Sequence, residues 1–135
     1  MLKHQLFQFY PGESIEDYRR RRLLWIQIES PAGAALLPEI IAAYGQYLSA
    51  CVIGPFDLSI NVGTPTQIWS DEVSAVIKDV FAQCEAAGLS SGIYAGDPTS
   101  ALRRIEQGAN LLWVACDALY MAWGIEQAAS LIANA

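Results

Sequence analysis

The chain has 135 residues, 53% of them hydrophobic and 16% charged, which supplies one domain with one core and excludes disorder. Its net charge of −6 excludes nucleic acid and an anionic membrane surface as partners, because both bind a basic face. No apolar run reaches the roughly 18 residues that span a bilayer. Met1 to Tyr10 carries no secretion signal, so a cytoplasmic protein is expected.

The first stretch, Met1 to Gly12, has no period, and Pro11 and Gly12 punctuate it. Ser14, with Asp17 three residues on, starts a short helix that runs into Arg19, Arg20, Arg21 and Arg22. Leu23 to Ile28 is a nearly continuous apolar run of strand length, the pattern of a strand buried on both faces. It ends at Glu29. Ser30 and Pro31 then open a helix with Leu36, Leu37, Ile40 and Ile41 on one side, and Gly45 closes it.

Leu48 to Ile53 predicts a second strand, which ends at Gly54-Pro55-Phe56-Asp57 in a tight turn. A long loop is expected from about Ser59 to Ser70. Ser70 or Asp71 caps a helix to Ala87 that buries Val73, Val76, Ile77, Val80 and Phe81. Ser91 to Ala95 predicts a third strand, Asp97-Pro98 a third βα helix, Leu111 to Cys116 a fourth strand, and Leu119 to Ile132 a final helix.

Strand and helix thus alternate four times, which means parallel strands joined by right-handed crossovers. The fold class is α/β, a parallel (β/α)4 unit. Residues 1–22 form a partly helical lead-in and residues 23–135 the domain. Two architectures fit: a small doubly wound sheet, or the second half of a TIM (β/α)8 barrel, which takes ~250 residues when complete. A half-barrel leaves two strand edges and an inner face without cover.

Ligands of parallel α/β folds gather at the carboxyl ends of the strands. This sequence puts Glu29, Asp57, Asp97 and Asp117 there, and no histidine or lysine. Carboxylates with water are what hard cations such as Mg2+ take. Each acid also has a structural reading: Glu29 beside the dipole of the next helix, Asp97 and Asp117 as helix caps. Asp57, after Gly54-Pro55 and at the head of the long loop, is the strongest candidate. His4, the only histidine, lies in the aperiodic terminus. The four arginines read as a solvated face, with binding of a substrate carboxylate or phosphate as the alternative. Trp25, Trp113 and Trp123 read as packing; Trp69 stands apart because it lies in the long loop. The three cysteines, Cys51, Cys84 and Cys116, are far apart in apolar segments and predict three buried thiols.

Two segments, Trp25-Ile26-Gln27-Ile28-Glu29-Ser30 and Val52-Ile53-Gly54-Pro55-Phe56-Asp57-Leu58-Ser59, resemble the strand ends of the HpcH/HpaI aldolase and citrate lyase family. The likeness continues through Gly63, Glu72-Val73, Ala87-Gly88, Gly92-Ile93, Gly108-Ala109 and Val114-Ala115-Cys116-Asp117, from about Tyr18 onward. The resemblance implies a (β/α)8 barrel, often hexameric with exchanged C-terminal helices. It implies class II aldolase chemistry: a divalent metal, Mg2+, Mn2+ or Co2+, and reversible C–C cleavage of 2-oxo acids such as 4-hydroxy-2-oxo acids, releasing pyruvate. The metal carboxylates map onto Glu29 and Asp57. The backbone near Gly54 and Phe56, with Asp57, would face the substrate. The family's general-base histidine and substrate arginine belong to the first half of the barrel, and nothing in this chain matches them. An incomplete enzyme is therefore expected, completed by oligomerisation or by a complementing N-terminal half. The alternative is a non-catalytic half-barrel module that self-associates or pairs with a partner chain.

Overall fold

The structure, a computed structural model, describes residues 14–134, apart from the side chains of residues 18 and 19. His4 and most of the lead-in lie outside the described residues. Strands β1 (Trp25–Ile28), β2 (Ala50–Ile53), β3 (Ser90–Ala95) and β4 (Leu111–Val114) form one parallel sheet in the order β1-β2-β3-β4. The order follows the chain without reversal. A doubly wound sheet reverses its order at a switch point. Sequential parallel pairing belongs to a barrel, and among the described residues β1 and β4 remain edges.

Short polar caps start the helices. The Ser14 hydroxyl accepts the Asp17 N–H at 3.1 Å ahead of α1 (Ile15–Arg21). Ser30 accepts from the Gly33 N–H at 3.1 Å and starts α2 (Pro31–Tyr44). Ser70 does the same for α4 (Asp71–Ala86) through Val73 N–H. Asp97 caps α5 (Pro98–Glu106), accepting from the Ser100 N–H at 2.8 Å and the Ser100 hydroxyl at 2.6 Å. Gly45 does not turn left-handed; at φ −53° it continues into a 3₁₀ turn, Gly45–Tyr47.

One expectation fails at the end of β2. Gly54-Pro55-Phe56-Asp57 is not a tight turn leading to a loop. Pro55 is the first residue of a helix, α3 (Pro55–Asn61), with Gly54 as its N-cap residue. Proline suits that position because its missing N–H would have no partner there and its φ is already helical. The loop is correspondingly shorter. It begins after Gly63, which takes φ +86° and stops α3.

The core lies between the outer face of the sheet and helices α2 and α4. Ile28, Ile53 and Ile93 stand in register across β1, β2 and β3, with Leu112 next to them on β4. They pack under Leu37, Val73, Ile77 and Val80, all buried. Leu36, placed on the buried side by sequence, is 51% exposed instead. Cys51 and Cys84 meet inside this core, and their hydrogen bond together with burial pushes the Cys84 thiol far up. Cys116 is exposed, which corrects the expectation of three buried thiols: β4 ends at Val114, so Cys116 lies beyond the sheet and precedes α6 (Asp117–Ala133).

The inner face of the sheet is open. Trp25 and Trp113 are 47% and 50% exposed and, with Gln27 and Val52, line a groove of ≈ 490 Å³. β1 is therefore covered on one face only, unlike the strand buried on both faces that its apolar run predicts, and both tryptophans leave about half of their surface exposed. Helix α6 buries none of its residues; Ile125 and Ile132 are 67% and 78% exposed. Among the described residues no helix is long and apolar enough to cross a membrane.

Candidate active site

Side chains alternate along a strand, so Gln27 and Glu29 share the inner side of β1 and point toward its carboxyl end. Gln27 Nε2 donates to Glu29 Oε1 at 2.7 Å. The capping alternative for Glu29 falls to its neighbour: Ser30 caps α2, and the carboxylate of Glu29 is turned to Gln27. Next to this pair, across the β1–β2 ladder, stands Gly54, whose N–H donates to the Ile28 carbonyl at 3.2 Å. A Cβ on residue 54 would lie 2.9 Å from Glu29 Oε1 and 3.1 Å from Gln27 Nε2. The glycine thus makes room for the carboxylate where it now lies, at an ordinary backbone φ of −90°.

Asp57 follows in the first turn of α3. With Gln27, Gly54, Pro55, Phe56, Tyr94 and Trp113 it lines a small cavity of ≈ 180 Å³ at the carboxyl end of the sheet. One wall is aromatic. Phe56 meets Tyr94 edge-on at 6.2 Å between ring centres, and Tyr94 meets Trp113 at 5.7 Å and 89°. Partial burial, then the neighbouring Cys116, pushes the Tyr94 phenol above its usual range, so it stays protonated at neutral pH. The structure thus gathers Gly54, Phe56 and Asp57 at one cavity, with Glu29 against Gly54.

The other acids do not join them. Asp97 is bound to Ser100 as a cap, and those hydrogen bonds hold its carboxyl below the ordinary 3.8. Asp117 accepts from the Ala118 N–H at 2.9 Å in the first turn of α6. In the arginine cluster, Arg20 pairs with Glu16 at 3.3 Å on an exposed helix face. Trp69 is held between two guanidinium groups, with Arg103 and Arg104 at 3.9 Å and 3.7 Å from its ring centre. Arg104 is fully buried, donates to the Ile68 carbonyl at 3.0 Å and to Gln107 at 2.8 Å, and so pins the loop after α3. Burial, and secondarily Arg103, lowers its pKa to about 10.

Sequence reasoning passed over Gln27, Tyr94 and Trp113. The signal was there: positions 25, 27 and 29 alternate to the inner side, as do 94 on β3 and 113 on β4. Among the described residues no group of three or more His, Cys, Asp and Glu side chains is placed to hold a metal. The donor set still fits a hard cation. Mg2+ commonly takes one or two carboxylates and fills its octahedron with water and substrate oxygens; Asp57 lines the small cavity, and Glu29 lies against Gly54, which lines it too.

Four parallel βα units in sequential order, with a cavity lined by Asp57 at their carboxyl ends, have the architecture of half of a (β/α)8 barrel. The HpcH/HpaI aldolase/citrate lyase family model matches residues 4–122, and the chain belongs to that family. It is similar to a hydroxypyruvate/pyruvate aldolase of Roseovarius nubinhibens, 34% identical over 99 residues, which are 73% of this chain and 38% of the relative. A 2-keto-3-deoxy-L-rhamnonate aldolase of Salmonella dublin is 33% identical over 96 residues, 71% of this chain and 35% of that one. Among solved structures, an HpcH/HpaI aldolase/citrate lyase family protein from Burkholderia cenocepacia J2315 superposes with a TM-score of 0.75 at 27% identity, over 84% of this chain and 43% of that one. The chain therefore spans less than half the length of the relatives it matches.

Proposed function

We propose that this chain is the metal-carrying half of a carbon–carbon lyase of the class II aldolase type, acting on 2-oxo acids such as 4-hydroxy-2-oxo acids and releasing pyruvate in the cytoplasm. The observation that carries the reading is the fit of the Glu29 carboxylate against Gly54, one turn of chain from Asp57, where any larger residue would displace it. Glu29 and Asp57 would hold the cation, Mg2+ or Mn2+, with Co2+ as a further option. A divalent ion there would act as a Lewis acid toward the negative charge that develops on the 2-oxo oxygen as the C–C bond breaks.

The chain's own groups do the rest. Gln27 holds the Glu29 carboxylate by a charge-assisted hydrogen bond and limits its rotamers. The backbone N–H groups of Phe56 and Asp57, in the first turn of α3 and without helical partners, would face the substrate carboxylate beside Gly54. Phe56, Tyr94 and Trp113 form an aromatic wall on one side. Among the described residues no histidine or lysine lines this cavity. Proton transfer and the second substrate contact would come from the other half of a completed barrel.

Calorimetric titration of the full chain with Mn2+ tests the site. Glu29→Gln and Asp57→Asn should each weaken binding about tenfold or more; unchanged affinity in both variants would remove the assignment.

The open inner face supports a second reading, a half-barrel that acts as an association module, either with its own copies or with an N-terminal half. Half-exposed Trp25 and Trp113, two edge strands and an unburied α6 all need cover. Light scattering separates the readings of its state: association is expected, and a stable monomer counts against the module.

A further inference from the structure

Asn61 is the last residue of α3, and nothing about it in the sequence attracts notice. Its side-chain Nδ2 donates to the Glu29 carbonyl at 2.9 Å and to the Asp57 carbonyl at 3.0 Å. The first bond spans 32 residues of chain and the second spans one helical turn. A primary amide has two N–H donors, and here each acceptor belongs to the backbone of one of the two acids. The Glu29 carbonyl lies just past the end of β1, where the strand ladder no longer serves it; the last ladder-type bond there is from Gly54 N–H to the Ile28 carbonyl.

We infer that Asn61 is a positioning residue that fixes the separation of the Glu29 and Asp57 carboxylates by tying their two backbones to one amide nitrogen. The inference rests on the proposed role of those two acids and adds a residue that touches neither carboxylate. The physical reason is reach and valence. Serine offers one hydrogen at shorter reach, leucine matches the shape of asparagine but offers none, and glutamine keeps both donors on a longer arm. Without the amide, β1 and α3 stay connected through Gly54, but the end of β1 is free to move relative to the first turn of α3. A site built from two carboxylates depends on that distance, because both must reach one ion. Loss of a group that orients metal ligands without touching the metal typically costs 10–100-fold in affinity.

The test is Mn2+ affinity of the full chain by calorimetry, with thermal unfolding without metal as the companion measurement. Asn61→Leu should weaken Mn2+ binding about tenfold, and Asn61→Gln should retain more affinity than Asn61→Leu. Asn110→Ala serves as the control. Asn110 also bonds a strand end, its Oδ1 accepting from the Ser91 N–H at 2.9 Å, but at the opposite end of the sheet. It should lower the unfolding temperature and leave Mn2+ affinity unchanged. If Asn61→Leu does not fold, Asn61→Ser takes its place with the same expected loss. Wild-type affinity in the Asn61 variant, with Glu29→Gln and Asp57→Asn weakened, overturns the inference and leaves the site standing. An equal loss in Asn110→Ala also overturns it. Unchanged affinity in Glu29→Gln and Asp57→Asn overturns the underlying site instead.

Discussion

The two faces of the sheet are made by the same strands and differ in how far this chain completes them. Toward the helices, Ile28, Ile53 and Ile93 are buried under α2 and α4. On the other side, at the alternate positions of β1 and β4, Trp25 and Trp113 are half exposed and Gln27 faces the groove. The outer face is a finished core and carries the stability. The inner face is an unfinished one and carries the candidate chemistry at its carboxyl end. The difference teaches that a (β/α)4 unit can bury one face of its sheet and leave the other open.

Substitutions on the two faces sharpen that contrast. Ile53→Ala removes a fully buried side chain from the outer core, and should cost about 3 kcal/mol in urea unfolding. Trp113→Ala removes a larger side chain from the inner face, yet should cost only about 1 kcal/mol, chiefly its edge contact with Tyr94. The same variant should lower the associated fraction in light scattering. Equal costs for the two would erase the distinction between the faces. A smaller effect is expected where β4 leaves the sheet. Ala115 is buried and takes φ +54°, a conformation that suits glycine. Ala115→Gly should raise unfolding stability by somewhat under 1 kcal/mol, reported by the urea midpoint. A loss of stability there would show that the methyl group packs too well to give up.

Much of the frame could be read from the chain. The four apolar runs, the serine and aspartate caps at Ser30, Ser70 and Asp97, and the alternation of strand and helix all appear at their expected places, because each is set by local chemistry. The candidate site's placement was legible in part: the strand-end motifs mark Glu29, Gly54, Phe56 and Asp57, and the structure brings Phe56 and Asp57 with Gly54 to one cavity. What escaped was non-local. Helix α3 was hidden by a Gly-Pro pair that reads equally as a turn, and Asn61 was hidden with it. Arg104 carries a charge on a fully buried side chain, so composition assigns it to the surface; its burial depends on Trp69 and the Ile68 carbonyl, more than thirty residues away. Cys116 was placed in the core because β4 was drawn two residues too long.

The most direct test of the central claim is Mn2+ calorimetry on Gly54→Ala. Alanine adopts the backbone angles of residue 54 without strain, φ −90° and ψ 92°. The added Cβ meets the end of the flexible Glu29 side chain at 2.9 Å, so the carboxylate moves while the fold is kept. The thermal midpoint should stay within about 5 °C of the wild type, the shift that ~1 kcal/mol gives in a domain of this size. Mn2+ affinity should fall about tenfold or more. A folded Gly54→Ala protein that binds Mn2+ as tightly as the wild type would show that the ion does not depend on the carboxylate beside residue 54, and would contradict the account.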